Sequence, residues 1–357
     1  MTSRAARAAL VLAALALPLS ACQTGPAGSG RGSSSPSTDA STASGDGAAT
    51  SAGAFPVTIE HAFGETTIAS DPQRVVTVGW SDHDMVAAVG EVPVGATKIT
   101  WGGNDAGSTD AFDEAVTELG ASPEDVVRLD DSDGIQTDEI AALEPDLILG
   151  TNSGLTQEDY DALSKIAPVV AYPEAPWATP WRDSVEMVGR ALGREDEAEQ
   201  AVAETEKAIA DAAAAHPELE GTSIAWGSFT PTDLSTITLY ATTDLRPQIF
   251  RELGMVDADV VTEGSTAGAF SFNLSAEQAD TLDADVLVFY TDGGVDPEAL
   301  LDDPLVGQIP ALRSGAYVAA ETGQAVQGLS SPSPLSIPVA MEEFVPLVAQ
   351  AAAKAKG

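Results

Sequence analysis

The chain has 357 residues, 44% of them hydrophobic, which is enough to bury the cores of two ordinary domains and excludes a wholly disordered protein. Its 55 Asp and Glu against 16 Lys and Arg give a net charge of −39, which excludes nucleic acid and anionic lipid as electrostatic partners. One Cys cannot form an internal disulfide, and His61, His83 and His216 lack the spacing of a structural zinc site, so packing alone is expected to hold the fold.

Arg4 and Arg7 precede an apolar stretch from Ala8 to Leu17, closed by Leu19-Ser20-Ala21-Cys22. A spanning helix needs roughly 20 apolar residues, and this run is about half that, so residues 1–21 read as a secretion signal. Leu19 to Cys22 resembles the bacterial lipobox, in which the Cys is acylated; the alternative is an ordinary signal with an incidental Cys. Acylation of Cys22 would hold the protein on membrane lipid, since each buried methylene contributes about 0.8 kcal/mol. Of the 32 residues from 23 to 54, 28 are Ser, Thr, Gly, Ala or Pro, so residues 22–54 are expected to form a tether with a span of roughly 30 Å.

From Phe55 the pattern becomes regular. Val57–Ala62 and Glu65–Ile68 flank Phe63-Gly64 as a hairpin. Short apolar runs at Val75–Val78, Val92–Ala96, Leu147–Leu149 and Val169–Tyr172 read as buried parallel strands between helices. Trp181–Leu192 and Glu195–Ala215 read as helices. The second opens on Glu195, Asp196 and Glu197, where the helix dipole favours acid, and Pro217 ends it. At 1.5 Å per residue it measures about 31 Å, the width of a small domain. Strand signals then resume at Ser223–Trp226, Ile237–Tyr240, Val286–Tyr290 and Tyr317–Ala320. The expected fold is α/β, with two Rossmann-like lobes of mostly parallel sheet, residues 55–180 and 217–357, joined by a long rigid helix within 181–216; the alternative is one continuous domain.

The segments from Thr137 (TDEIAALEPDLIL) and from Ala276 (AEQADTLDADVLV) share a register: Asp138 lies eight residues before Asp146, as Glu277 does before Asp285. The two acids either dock a partner on equivalent faces or cap two helices.

The succession DPQRVVTVGWSD, GEVPVGAT, IAALEPDLILG, LSKIAPVVAY, PWRDSVEMVGRALGRE, LSAEQADTLDADVLV and SGAYVA resembles the iron-siderophore and cobalamin substrate-binding proteins of ABC importers, a class III periplasmic-binding-protein fold, in lipoprotein form. The resemblance spans residues 56 to about 350. It implies a cleft for a ferric siderophore, no catalysis and no cofactor, a monomer on the outer face of the cytoplasmic membrane, and one acid per lobe that meets permease arginines. That acid falls on Glu277 in the C-lobe and on Asp138, with Glu139 beside it, in the N-lobe.

Open parallel sheets bind ligands beyond the carboxyl ends of their strands. Trp80, Trp101, Trp226, Tyr240 and Tyr290 lie at such ends and are expected to contact cargo, with core packing as the alternative for each. Arg246 falls where relatives carry a cleft-facing Arg and could fork onto a chelate oxygen, unless Asp244 or Glu252 occupies it. Ser331, Ser333 and Ser336 line the C-lobe wall or simply make turns. After residue 54 there are 53 acidic and 13 basic side chains, which disfavours a trianionic tris-catecholate and favours a hydroxamate chelate. Haem or cobalamin are the alternative cargoes, with His83 the nearest axial ligand. A hydrolase would have to rest on Ser81-Asp82-His83, whose neighbouring side chains point apart, and no Gly-x-Ser-x-Gly elbow occurs.

Overall fold

β1 (Val57–His61) and β2 (Gly64–Ile68) pair antiparallel, and the alternating pattern that buries Ile59, His61, Thr66 and Ile68 turns one face inward. Ala62 N–H donates to the Tyr172 carbonyl at 2.9 Å and so ties the hairpin to the first lobe. The computed structural model describes residues 55–356; the expected signal sequence at 1–21, Cys22 and the expected tether at 22–54 lie outside them.

In the first lobe β3 (Val75–Thr77), β4 (Gly95–Thr97), β5 (Val127–Leu129), β6 (Leu147–Gly150) and β7 (Val169–Ala171) form a parallel sheet in the order β5-β4-β3-β6-β7. Its crossovers carry α1 (Asp82–Ala88), α2 (Asp110–Glu118), α3 (Thr137–Ala142) and α4 (Gln157–Leu163). β3, β6 and β7 are buried along their length, which is why they read as unbroken apolar runs. The chain builds outward from β3 on one side, then returns to build β6 and β7 on the other, so the loops after β3 and β6 diverge and leave a crevice. The strand expected from Val92 begins only at Gly95, since Pro93 has no N–H for the ladder.

Two helices, α5 (Trp181–Leu192) and α6 (Glu195–Ala215), join the lobes. They have the predicted bounds, and Gly193, at φ +64°, makes the left-handed turn between them. α6 packs on α5 and on α12 (Ser336–Glu343), one of seven C-terminal helices with α7 (Leu245–Glu252), α8 (Asp259–Gly264), α9 (Pro297–Asp302), α10 (Pro310–Ser314), α11 (Gln324–Ser330) and α13 (Val345–Ala355). One buried cluster runs from Val75, Met85 and Leu147 through Val185, Val188 and Ile209 to Ile224, Val286 and Val348, so the connector carries core for both lobes.

The second sheet differs from the expectation. β8 (Ser223–Thr230), β9 (Asp233–Tyr240), β10 (Val256–Asp257), β11 (Ser271–Ser275), β12 (Val286–Tyr290) and β13 (Tyr317–Ala320) adopt the order β11-β9-β8-β12-β13, with β10 beside the start of β8. β12 and β13 run parallel to β8, but β9 is antiparallel to β8, and β11, antiparallel to β9, returns to the direction of β8. The expected parallel strand at Ile237–Tyr240 is therefore the return arm of a hairpin. Thr230 pairs with Asp233, and the two residues between them can connect only antiparallel neighbours.

The sequence echo has a structural counterpart. Asp146, before β6, accepts from Gln73 N–H and Arg74 N–H at 2.8 Å; Asp285, before β12, accepts from Ser223 N–H at 2.8 Å. Each carboxylate pins the start of the neighbouring strand, β3 or β8. No helix of the described residues is long and apolar enough to cross a membrane.

Candidate functional site

Gly79 follows β3 because nothing larger fits: a Cβ there would meet an Asp82 carboxylate oxygen at 1.8 Å and the Asn152 carbonyl at 2.6 Å. Asp82, fully buried at the start of α1, accepts from Thr151 N–H at 2.7 Å, just after β6. Burial pushes its carboxyl upward against the pull of the Thr151 hydrogen bonds. This bond joins the two diverging loops of the crevice. Trp80 stands on one of them. The other carries Gly154, whose missing side chain admits the Trp177 indole; a Cβ would lie 2.6 Å from its Nε1. Trp177 holds φ +58° and donates its N–H to the Ser153 carbonyl at 3.1 Å. Such a backbone costs energy and persists where the surroundings over-determine it, as at ligand clamps.

The second lobe presents Arg246 from the first turn of α7. Its Nε donates to Tyr290 Oη at 2.7 Å and Ser330 Oγ at 3.1 Å, its Nη1 to Asp244 Oδ2 at 2.7 Å, and its Cζ lies 4.0 Å above the Tyr240 ring centroid. Among the described residues Nη2 has no hydrogen-bond partner, so this amine is free. Burial, offset in part by Arg246, keeps the Tyr290 phenol above its usual range, and burial raises Tyr240 as well.

Trp80 and Trp177 from the first lobe and Tyr240, Asp244, Arg246, Phe270, Ser330 and Ser331 from the second enclose an open cavity of about 240 Å³. Trp177 is 40% and Phe270 55% exposed at its mouth.

Of the predicted contacts, Trp80, Tyr240 and Arg246 thus meet in one cavity. Tyr290 lies beneath Arg246 and orients it. Trp101 is set apart from the lining: its Nε1 donates to Asp292 Oδ2 at 2.6 Å and its ring meets Tyr290 edge-on at 5.5 Å, a bridge between lobes. Trp226 does not line the cavity. It is 2% exposed and packed among Phe250, Tyr290 and Phe344, because it sits within β8, which runs on to Thr230, instead of at a strand end. Tyr240 reaches the cavity on the antiparallel arm.

Asp244 does pair with Arg246, whereas Glu252 binds Arg182 of the connector at 2.7 Å. Ser331 lines the cavity, but Ser333 donates to Asp84 Oδ2 at 2.6 Å and joins Ser336, an anchor between lobes. His83 is 1% exposed, packs against Phe112 and is not among the residues lining the cavity, and Asp82 bonds Thr151, not Ser81 or His83. Among the described residues no His, Cys, Asp and Glu group suited to a metal ion occurs. Asp138 and Glu139 in the first turn of α3 and Glu277 after β11 are exposed, and none of these carboxylates accepts a hydrogen bond among the described residues. Ser275, not Glu277, caps its turn.

Trp177, Phe270, Asp244 and Ser330 were not anticipated as cavity residues. The readable signal was a lone large aromatic in a stretch of Pro and small residues: Trp177 within Pro173–Pro180 and Phe270 after Gly264–Ala269. Such rings have no local core to join.

Residues 75–320 match the family described as periplasmic binding protein. The Fe(3+)-citrate-binding protein YfmC of Bacillus subtilis (strain 168) is 26% identical over 258 residues, covering 71% of this chain and 74% of its own. A crystal structure of PiaA from Streptococcus pneumoniae TIGR4 in complex with ferrichrome has 36% identity and a TM-score of 0.77, over 83% of this chain and 99% of that one. A periplasmic solute binding protein from Mycobacterium smegmatis str. MC2 155 has 30% identity and a TM-score of 0.69, over 83% and 98% of the two chains.

Proposed function

The chain belongs to the periplasmic binding protein family, and from that premise we propose that it captures a ferric siderophore of hydroxamate type between its lobes and hands it to the permease of an ABC importer. The observation that carries this reading is the arrangement around Arg246: one free guanidinium amine within an aromatic frame drawn from both lobes. Flat rings suit the organic shell of a chelate, and the amine suits an oxygen at its metal-binding face. The relative that binds ferrichrome supports the cargo class, and the Fe(3+)-citrate-binding relative supports ferric cargo generally. Titration with ferrichrome, a tris-catecholate chelate and ferric citrate, followed by tryptophan quenching, tests it. Saturable binding with the hydroxamate preferred is expected; preference for the trianion at physiological salt would end the hydroxamate assignment.

Arg246→Ala is expected to weaken ferrichrome binding by about 1 to 3 kcal/mol, the worth of a charge-assisted hydrogen bond. Calorimetric titration measures it, and an unchanged Kd would remove Arg246 from the ligand residues.

Residues 1–21 serve in this reading as the signal peptide and 22–54 as a tether from acylated Cys22, with lobes at 55–180 and 217–357 and the connector at 181–216. Cys22→Ser is expected to move the protein from the membrane fraction to the detergent-free supernatant; continued membrane association would refute the lipid anchor.

A further inference from the structure

A cleft for ferric chelates must also refuse some, and the charges around this cavity identify the residue that refuses. Arg246 and Asp244 are the only charged side chains among the lining residues. Asp244 is 5% exposed, one oxygen 2.7 Å from Arg246 Nη1 and the other accepting the Arg246 N–H at 3.0 Å. The lining therefore carries no net charge. Further out, Asp292 lies beyond Tyr290 against Trp101, and the folded body is strongly acidic, so no surplus of positive charge approaches from elsewhere.

Resting on the ferric-chelate reading, we propose that Asp244 is the specificity-determining residue of the cleft: its carboxylate cancels Arg246, so chelates whose donors balance iron's charge enter and anionic chelates are turned away. A tris-hydroxamate complex of ferric iron is neutral; citrate and tris-catecholate complexes are anionic. The single free amine of Arg246 can still donate a hydrogen bond to a neutral chelate's oxygen, but the pair as a whole offers an anion no attraction. At separations of several ångströms in a partly dry site, one added unit of charge changes affinity by about tenfold or more.

Asp244 also caps α7, and that separate role is what makes the inference testable. Asn and Ser cap a helix about as well as Asp. Asp244→Asn therefore keeps the cap and the side-chain shape and removes the charge, and Asp244→Ser, which keeps the cap but also gives up the contact with Arg246 Nη1, supplies a second, smaller side chain should Asn fail to fold. The measurement is the Kd of wild type and both variants for ferrichrome and for ferric citrate at low ionic strength. We expect the preference for ferrichrome over ferric citrate to fall at least tenfold in the variants, chiefly through tighter citrate binding. A ratio that stays put while both affinities fall together would make Asp244 a cap alone and overturn the inference, as would a wild type that already binds ferric citrate the tighter. Wild type binding neither chelate would instead bring down the cargo reading and this inference with it. Binding of ferrichrome with an unmoved ratio brings down the inference alone.

Discussion

Trp226→Ala is expected to lower the stability of the fold by about 3–5 kcal/mol, the range for deleting a large aromatic from a packed core. The indole stacks on Phe344 with centroids 5.6 Å apart and planes 13° from parallel, and it contacts Phe250 and Tyr290 at 5.7 and 5.6 Å. Those neighbours come from α7, β12 and the residue before α13, so truncation opens a cavity that no single element can close. Trp226→Phe should cost much less, for a specific reason. Among the described residues the buried Nε1–H has no hydrogen-bond partner, a defect of about 1–3 kcal/mol that disappears with the indole. Urea unfolding of the two variants measures the difference. A cargo residue would behave in the opposite way: Trp226→Phe would weaken chelate binding and leave the unfolding midpoint in place.

Trp226 also shows where the sequence stops being legible. Its position beyond a short apolar run suggested a strand end, but β8 continues through Gly227-Ser228-Phe229-Thr230 because its hairpin partner β9 extends the ladder. Partner strands lie outside any local pattern. α5 and α6, by contrast, were readable to the residue, since an apolar stripe, an acidic start and a Pro stop all act within a few positions. Of the parallel strands of the first lobe, β3, β6 and β7 were equally plain because they are buried along their length, whereas β5, with Val127 exposed, was not anticipated. Arg246, Tyr240 and Trp80 could be picked out by residue type near loops, yet the three meet only through the fold. Trp177 depends on a notch at Gly154 and a left-handed backbone, neither of which the sequence displays. The Ser331–Ser336 stretch divided between two roles, Ser331 at the cavity and Ser333 on Asp84, because successive residues of an irregular loop face different lobes.

Changing Asp138 and Glu277 together to Ala is expected to abolish uptake of the ferric chelate by whole cells while leaving its affinity for the purified protein unchanged. Both side chains are exposed, neither accepts a hydrogen bond among the described residues, and surface substitutions of this kind usually move stability by no more than about 0.5 kcal/mol. Any role they have is then with something outside the chain. The two turns that bear them precede β6 and β12, which pair with the first strand of each sheet through Asp146 and Asp285, so the acids occupy equivalent places in the two lobes. A permease that presents Arg to both lobes would gain orientation from the pair, and losing one partner of a desolvated charge pair commonly costs 2–5 kcal/mol of binding. Losing two should leave uptake undetectable. Glu139 supplies the internal control, since it lies beside Asp138 in the same turn of α3 and can stand in for it. If Glu139 is the docking acid, the Glu139→Ala, Glu277→Ala pair will be the silent one and the Asp138→Ala, Glu277→Ala pair will retain transport. Uptake of iron-labelled ferrichrome beside calorimetry on the same proteins separates the outcomes: lost affinity would place the acids in the cleft, and normal uptake in both double variants would remove them from docking altogether.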